Sequence, residues 1–276
     1  MKWLQALRSQ FPQHKYAINA KLLGDDAALA WSNLGYWQAD ADTYPQACQA
    51  LAEHLAQAIQ LDAHDRLLDL GCGQGASLKL WLKQFKVQRL YALEMQPACI
   101  EKIKKELNSK AAIYCASFLN LKTVFPQTTF DAVLCIDAAY HSPLNSFLRS
   151  VQSVLNSKGR LGFHYLMLSD EYLNSNALQK LKYRALLKAA DVNLSDLLSE
   201  KELYAALESS SFKNIQIEDI SAQVFAGFAH YAETALADAL PSNHLDILKI
   251  RMTAKLCRTL YAGGAVRYVQ IATQKG

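Results

Sequence analysis

Leu67-Leu68-Asp69-Leu70-Gly71-Cys72-Gly73-Gln74-Gly75 is the stretch on which the reading of the fold turns. Apolar residues around a single acid run straight into three alternating glycines, and residues 76–85 then take up helical spacing. The segment therefore reads as strand, tight turn and helix. Glycines in such a turn let the backbone bend sharply and let a ligand approach where a Cβ would otherwise stand. The spacing is GxGxG rather than the GxGxxG of dinucleotide sites, and Asp69 stands two residues before the first glycine, which leans away from NAD.

Working outward, short apolar runs alternate with amphipathic ones. Residues 66–70, 87–93, 112–115, 130–136 and 160–166 are expected strands. Residues 76–85 and 97–107 are expected helices, the second with Pro97 in its first turn, and 143–155 is a third that Ser142 caps. A helix over 45–60 leads in, with Cys48, Leu51, Leu55 and Ile59 on one stripe. Strands that are apolar throughout, separated by helices, imply a doubly wound parallel sheet covered on both faces, with ligands at the carboxyl ends of its strands. Beyond the fifth strand the alternation breaks. A stripe of Leu173, Ala177, Leu178, Leu181 and Leu187 precedes a capped helix at 199–207 and a strand at 215–220. Two further stripes follow, Val224, Phe228, Tyr231 and Ala235, then Leu245, Leu248, Met252 and Leu256, with Pro241 between them. Gly263 and Gly264 turn into a last strand at 266–273. The expected organisation is a helical cover over 1–45, carrying Trp3, Leu4, Leu7, Phe11 and Tyr16, and one domain over 46–276. Helical lid insertions fall at about 168–193 and 221–263, where Phe225, Phe228, Tyr231, Leu236, Met252 and Tyr261 suit an enclosed, partly apolar pocket.

The second expected strand ends at Glu94-Met95, where one carboxylate can accept from both hydroxyls of a ribose. With the glycine turn, this resembles the class I, Rossmann-like S-adenosyl-L-methionine-dependent methyltransferases of small-molecule type, over roughly residues 46–166. The resemblance implies a mostly parallel seven-stranded sheet with an antiparallel last strand. It also implies S-adenosyl-L-methionine as cofactor and S-adenosyl-L-homocysteine as product. Gly71, Gly73 and Gly75 would admit the methionine end, Asp69 would orient it and Glu94 would hold the ribose, with Cys72 and Met95 also at the cofactor. An acid common after the third strand is replaced here by Ala116-Ser117, which leaves the adenine contact to backbone or to the Ser117 hydroxyl.

The fourth strand leads into Ile136-Asp137-Ala138-Ala139-Tyr140-His141-Ser142-Pro143. The Asn/Asp-Pro-Pro-aromatic motif of nucleic-acid and glutamine methyltransferases is absent. An acid followed four residues later by a histidine is instead similar to small-molecule members, so Asp137 is expected to contact cofactor or substrate, against a purely structural role, and His141 is a candidate general base or orienting group. The plain alternative for His141 is a cap or a core hydrogen bond. Upstream, Gly35-Tyr36-Trp37 is similar to a segment that folds over the cofactor in related enzymes, and makes Tyr36 the second catalytic candidate beside ordinary packing. Of His164 and Tyr165, neighbours on a strand, only one can face the pocket.

The 276 residues are 51% hydrophobic with a formal charge of +4, enough for a large core and too weakly basic for a nucleic-acid surface. The run Lys102, Lys104, Lys105 reads as a solvated helix face. The six cysteines form no CxxC pair and no zinc spacing, so they read as reduced residues with no metal. No apolar run is long enough to span a bilayer and MKWLQALRSQ has no secretory core, so a cytoplasmic monomer or homodimer is expected. The expected function is methyl transfer to O, N or C of a small, partly apolar acceptor. A protein or RNA methyltransferase, or a non-catalytic cofactor-binding protein, is the alternative.

Overall fold

The computed structural model describes residues 18–38, 43–237 and 244–276. The helical stripe read over residues 3–16 and the break at Pro241 lie outside the described residues. Within 18–38 a single 3-10 turn, Ala20–Leu23, is the one helical piece of the expected cover.

Seven strands form one sheet in the order β3-β2-β1-β4-β5-β7-β6, namely β1 (Arg66–Leu70), β2 (Arg89–Glu94), β3 (Ala112–Cys115), β4 (Phe130–Cys135), β5 (Leu155–Leu168), β6 (Phe212–Asp219) and β7 (Val266–Lys275). β1 through β5 pair in parallel, while β7 runs antiparallel to both β5 and β6. The expected doubly wound sheet with one reversed last strand is what forms. β1 and β4 sit in its middle and are buried almost throughout, which explains their unbroken apolar runs. The chain order reverses between β1 and β4, so the crevice at their carboxyl ends is where such sheets take ligands.

The longer helices are α1 (Tyr44–Ala58), α2 (Ala76–Lys83), α3 (Pro97–Leu107), α4 (Leu144–Gln152), α5 (Ala177–Ala189), α6 (Glu200–Ser209), α7 (Gly227–Ala235) and α8 (His244–Gly263). α1 starts where the Thr43 amide and hydroxyl donate to the Gln46 side chain. It buries Ala47, Cys48, Leu51, Ala52 and Leu55 against β5 and β7. The Ser199 amide and hydroxyl likewise donate to Glu202 and open α6 as the sequence predicts. α4 differs. It begins at Leu144, with Pro143 in the cap position, and the Ser142 hydroxyl donates backwards to the Ala139 carbonyl at 3.0 Å. The intervening proline takes the place at which Ser142 was expected to cap.

The lid helices also differ from the sequence pattern. Val224, Phe225, Phe228 and Leu236 join the core, Tyr231 packs part-buried against it, and α8 buries Ile247, Ile250, Ala254, Cys257 and Leu260. The expected stripe of Leu245, Leu248 and Met252 is solvent-facing, as is Tyr261. Both stripes have helical period, so periodicity alone does not choose the inner face. Each large apolar side chain left outside forgoes roughly 1.5–3 kcal/mol of burial.

Candidate active site

Gly71, Gly73 and Gly75 all have positive φ, at 68°, 54° and 88°, so the turn after β1 takes a left-handed backbone that L side chains rarely adopt. The Gly71 and Cys72 amides donate to the Leu93 carbonyl at 2.9 and 3.2 Å, clamping the turn to the end of β2. The Gly73 amide donates to Glu94 Oε2 at 3.0 Å, while Glu94 Oε1 accepts from the Met95 and Gln96 amides at 2.9 and 3.0 Å. Backbone thus fixes this buried carboxylate over the turn, with lone-pair capacity still left for a hydroxyl.

Below the turn, Asp69 is buried in mid-sheet and accepts from Trp81 Nε1 on α2 at 2.6 Å. Burial pushes its carboxyl up to about 6, against the opposing pull of the Trp81 and Ser77 hydrogen bonds. Because this pKa is raised, the contribution of Asp69 to stability is full at low pH and is lost as pH rises through about 6. Trp81→Phe therefore is expected to destabilise the fold by about 1–3 kcal/mol, more at pH 8 than at pH 5, because the ionised carboxylate depends most on its donor. Urea melts at the two pH values check it, and equal losses would show that Asp69 is not the group affected.

Asp69, Gly71, Cys72, Ala76, Ser77 and Ile136 enclose a cavity of about 30 Å³ with the facing segment Ala30–Asn33. That segment is held down by local bonds. The Asp25 carboxylate accepts from the Ala27 and Trp31 amides at 3.1 and 2.7 Å, and the Asn33 amide group bonds Gly35 N and the Cys48 carbonyl. A Cβ built on Gly73 would stand 2.9 Å from Ser32 Oγ, so the cradle has no room for a side chain. Further along the cleft, the Ala116 amide donates to the Glu94 carbonyl, and Ser117 Oγ accepts from the Leu119 amide at 3.2 Å. Met95 is exposed.

Asp137, past the end of β4, has φ +52°, a left-handed backbone for a residue with a side chain. Its amide donates to His164 Nδ1 at 3.3 Å, and its Oδ1 accepts from the hydroxyls of Tyr140 and Tyr268 at 2.5 and 2.7 Å. Burial raises the Asp137 carboxyl to about 6, although both phenols and the Leu34 amide favour the charged form. His164 is wholly enclosed, and desolvation drives its pKa down to about 3, so the ring is neutral. With Nδ1 accepting, its proton sits on Nε2. Gln270 stands opposite His164 in the β5–β7 register and donates to Glu218. Tyr165 points the other way and donates to the Asp196 carbonyl.

His141 is exposed on the turn Ala139–His141. Its ring lies 4.5 Å from that of Tyr140 and its Nδ1 lies 3.3 Å from the Asp191 carbonyl, beyond α5. Tyr36 lies elsewhere, stacked on His54 at 4.8 Å and near Glu218. Trp37 stacks on Tyr231 at 4.4 Å. The structure thus brings Asp69, the glycine turn, Glu94 and Asp137 to one end of the sheet, and sets Tyr36 and His141 in separate surroundings. Sequence reasoning missed Trp81, Asn33, Tyr140 and Tyr268. Tyr140 had a local signal three residues after Asp137, but Tyr268 lies 131 residues away and had none.

Among known proteins, residues 68–163 match the model described as a methyltransferase domain. A sterol 24-C-methyltransferase of Gibberella zeae is 28% identical over 182 residues, covering 63% of this chain and 46% of the relative. An erythromycin 3''-O-methyltransferase of Saccharopolyspora erythraea is 28% identical over 159 residues, 54% of this chain and 52% of that one. The chain thus spans about half the length of these curated relatives. In structure, a geranyl diphosphate C-methyltransferase from Streptomyces coelicolor, solved with S-adenosyl-L-homocysteine, superposes with a TM-score of 0.71. It has 16% identity and covers 95% of each chain. A cyclopropane synthase from Mycobacterium tuberculosis also gives 0.71, at 14% identity over 95% of this chain and 100% of that one.

Proposed function

We propose that this chain, a class I methyltransferase by its sheet and by the domain at residues 68–163, moves the methyl group of S-adenosyl-L-methionine to a small, partly apolar acceptor and releases S-adenosyl-L-homocysteine. One observation carries the reading: the side-chain-free turn at Gly71, Gly73 and Gly75 is bonded through an amide to Glu94 at the end of the next strand. A nucleoside with a short charged tail fits this chemistry. Glu94 and Met95 would meet the ribose, Gly71 to Gly75 and Cys72 the tail, Asp69 its ammonium side, and Ala116 and Ser117 the base. When bound, the sulfonium supplies an activated methyl group. Residues 30–33 stand close over the turn and leave a cavity of about 30 Å³, room for roughly one water.

The acceptor side is assigned to the β4 end. A displacement on a sulfonium needs alignment above all, and a hydroxyl or ammonium acceptor must also give up a proton. Asp137, with its pKa near neutrality and two phenol partners, takes that proton, and Tyr140 and Tyr268 hold the carboxylate in place. His141, exposed four residues further along on the turn Ala139–His141, is given the role of orienting the acceptor. The relatives named for a sterol and for erythromycin favour a small molecule over a macromolecule. Among the described residues no helix is long and apolar enough to cross a membrane. All six thiols are unpaired, which fits a reducing compartment, so we place the reaction in the cytoplasm.

Titration calorimetry tests the premise. One-to-one binding heat with both S-adenosyl-L-methionine and S-adenosyl-L-homocysteine is expected, and folded protein that gives none with either refutes the assignment.

A further inference from the structure

Two helices of the insertions carry their leucines outward. On α5, Leu178 and Leu181 are 76% and 59% exposed, and Ala185 and Ala189 continue the same stripe while Tyr183 and Leu187 face inward. Helical spacing puts Lys182 on one flank of that stripe and Arg184 and Lys188 on the other, all exposed. Lys180 turns back to the Leu173 carbonyl, and α5 contains no acidic residue. On α8, Leu245, Leu248 and Met252 are between 53% and 64% exposed and form a second outer stripe. It is flanked by Lys249, paired with Asp246 at 3.9 Å, on one side and by Arg251 and Lys255 on the other. Between α7 and α8, Arg251, Lys255 and Arg258 line an open groove of about 490 Å³ with Leu236 and Ala254. Arg258 is paired there with Glu233.

A helix that keeps leucine and methionine outside within a basic border suits one kind of environment. Apolar side chains enter the acyl boundary of a bilayer, lysine and arginine stems extend to phosphate headgroups, and the backbone lies flat on the surface. Clusters of basic residues beside such a stripe favour anionic lipid over neutral lipid. An ordinary solvated helix would carry polar residues at these positions, and a protein partner of mixed charge would leave the absence of acid on α5 without purpose.

We propose that α5 and α8 form a docking surface for an anionic bilayer, which seats the protein on the lipid without crossing it. The inference stands apart from the cofactor assignment, because none of these side chains touches the glycine turn, Glu94 or Asp137.

Flotation of the purified full chain with vesicles tests it, using equal parts phosphatidylglycerol and phosphatidylcholine against phosphatidylcholine alone. The protein should rise with the anionic vesicles, remain below with the neutral ones, and come off as salt is raised. The pairs Leu178→Glu with Leu181→Glu, and Leu248→Glu with Met252→Glu, should each lower partitioning at least about tenfold. Lys182→Ala with Lys188→Ala should flatten the salt dependence. Because these positions are exposed, all variants should keep the wild-type thermal melt and any cofactor heat, so a failure of the cofactor reading leaves the flotation result intact. The proposal is overturned if the wild-type chain stays below with both vesicles or if the glutamate variants float as well as it does. A concentration-dependent dimer that the glutamate variants abolish would likewise overturn it, by identifying a second copy as the occupant.

Discussion

Gly73→Val is expected to abolish cofactor binding, lowering affinity by at least about a hundredfold, while the fold survives. Two effects act together. The residue has φ +54°, where a β-branched side chain is strained, and its Cβ would stand 2.9 Å from Ser32 Oγ. A side chain there would stand between the turn and Ser32, and the Gly73 amide that holds the Glu94 carboxylate would shift with the strained backbone. Since Gly73 lies on a surface turn and not in a strand, far-ultraviolet circular dichroism should match the parent. Calorimetry with S-adenosyl-L-homocysteine reads the binding. Parent-like affinity would mean that the nucleoside lies elsewhere.

Asp137→Asn is expected to lower kcat by roughly 10²- to 10⁴-fold with cofactor affinity changed by no more than a few fold, the loss typical of removing a positioned proton acceptor. The same variant should erase the acid limb of the pH profile. With a folded pKa of about 6, Asp137 is protonated and inert as a base at pH 5 and ionised at pH 8, so parent kcat/KM should climb through that value and then level. His141→Ala is the comparison. As an orienting group it should raise KM more than it lowers kcat and leave the limb in place. A limb that survives in Asp137→Asn and disappears in His141→Ala would transfer the base to His141.

How much of this was legible depends on distance along the chain. The turn from Leu67 to Gly75, the strand ending at Glu94 and the helix Pro97–Leu107 are short-range patterns, and each falls where the spacing puts it. Asp137 was visible for the same reason, as the acid just past an apolar run. Its setting was not. The phenol of Tyr268 reaches it from β7, and the imidazole of His164 meets its amide from β5, through pairings that only the folded sheet creates. Trp81 read as one more apolar residue on a helix, although its indole is the donor to Asp69. The outer stripe of α8 shows the other limit. Leu245, Leu248 and Met252 repeat with the same period as Ile247, Ile250 and Ala254, so only packing against β7 and its neighbours decides which set turns inward.

The place of β7 between β5 and β6 has a consequence for how the protein is made. During synthesis β6 leaves the ribosome well before β7, yet its neighbour in the sheet is β7, so it waits without a hydrogen-bonding partner until the later strand arrives. Tyr268 travels on that late strand, and until it docks the Asp137 carboxylate lacks one of its two phenols. A nascent chain therefore assembles the glycine turn and Glu94 early and the surroundings of Asp137 last, with an open sheet edge exposed to chaperones in the interval.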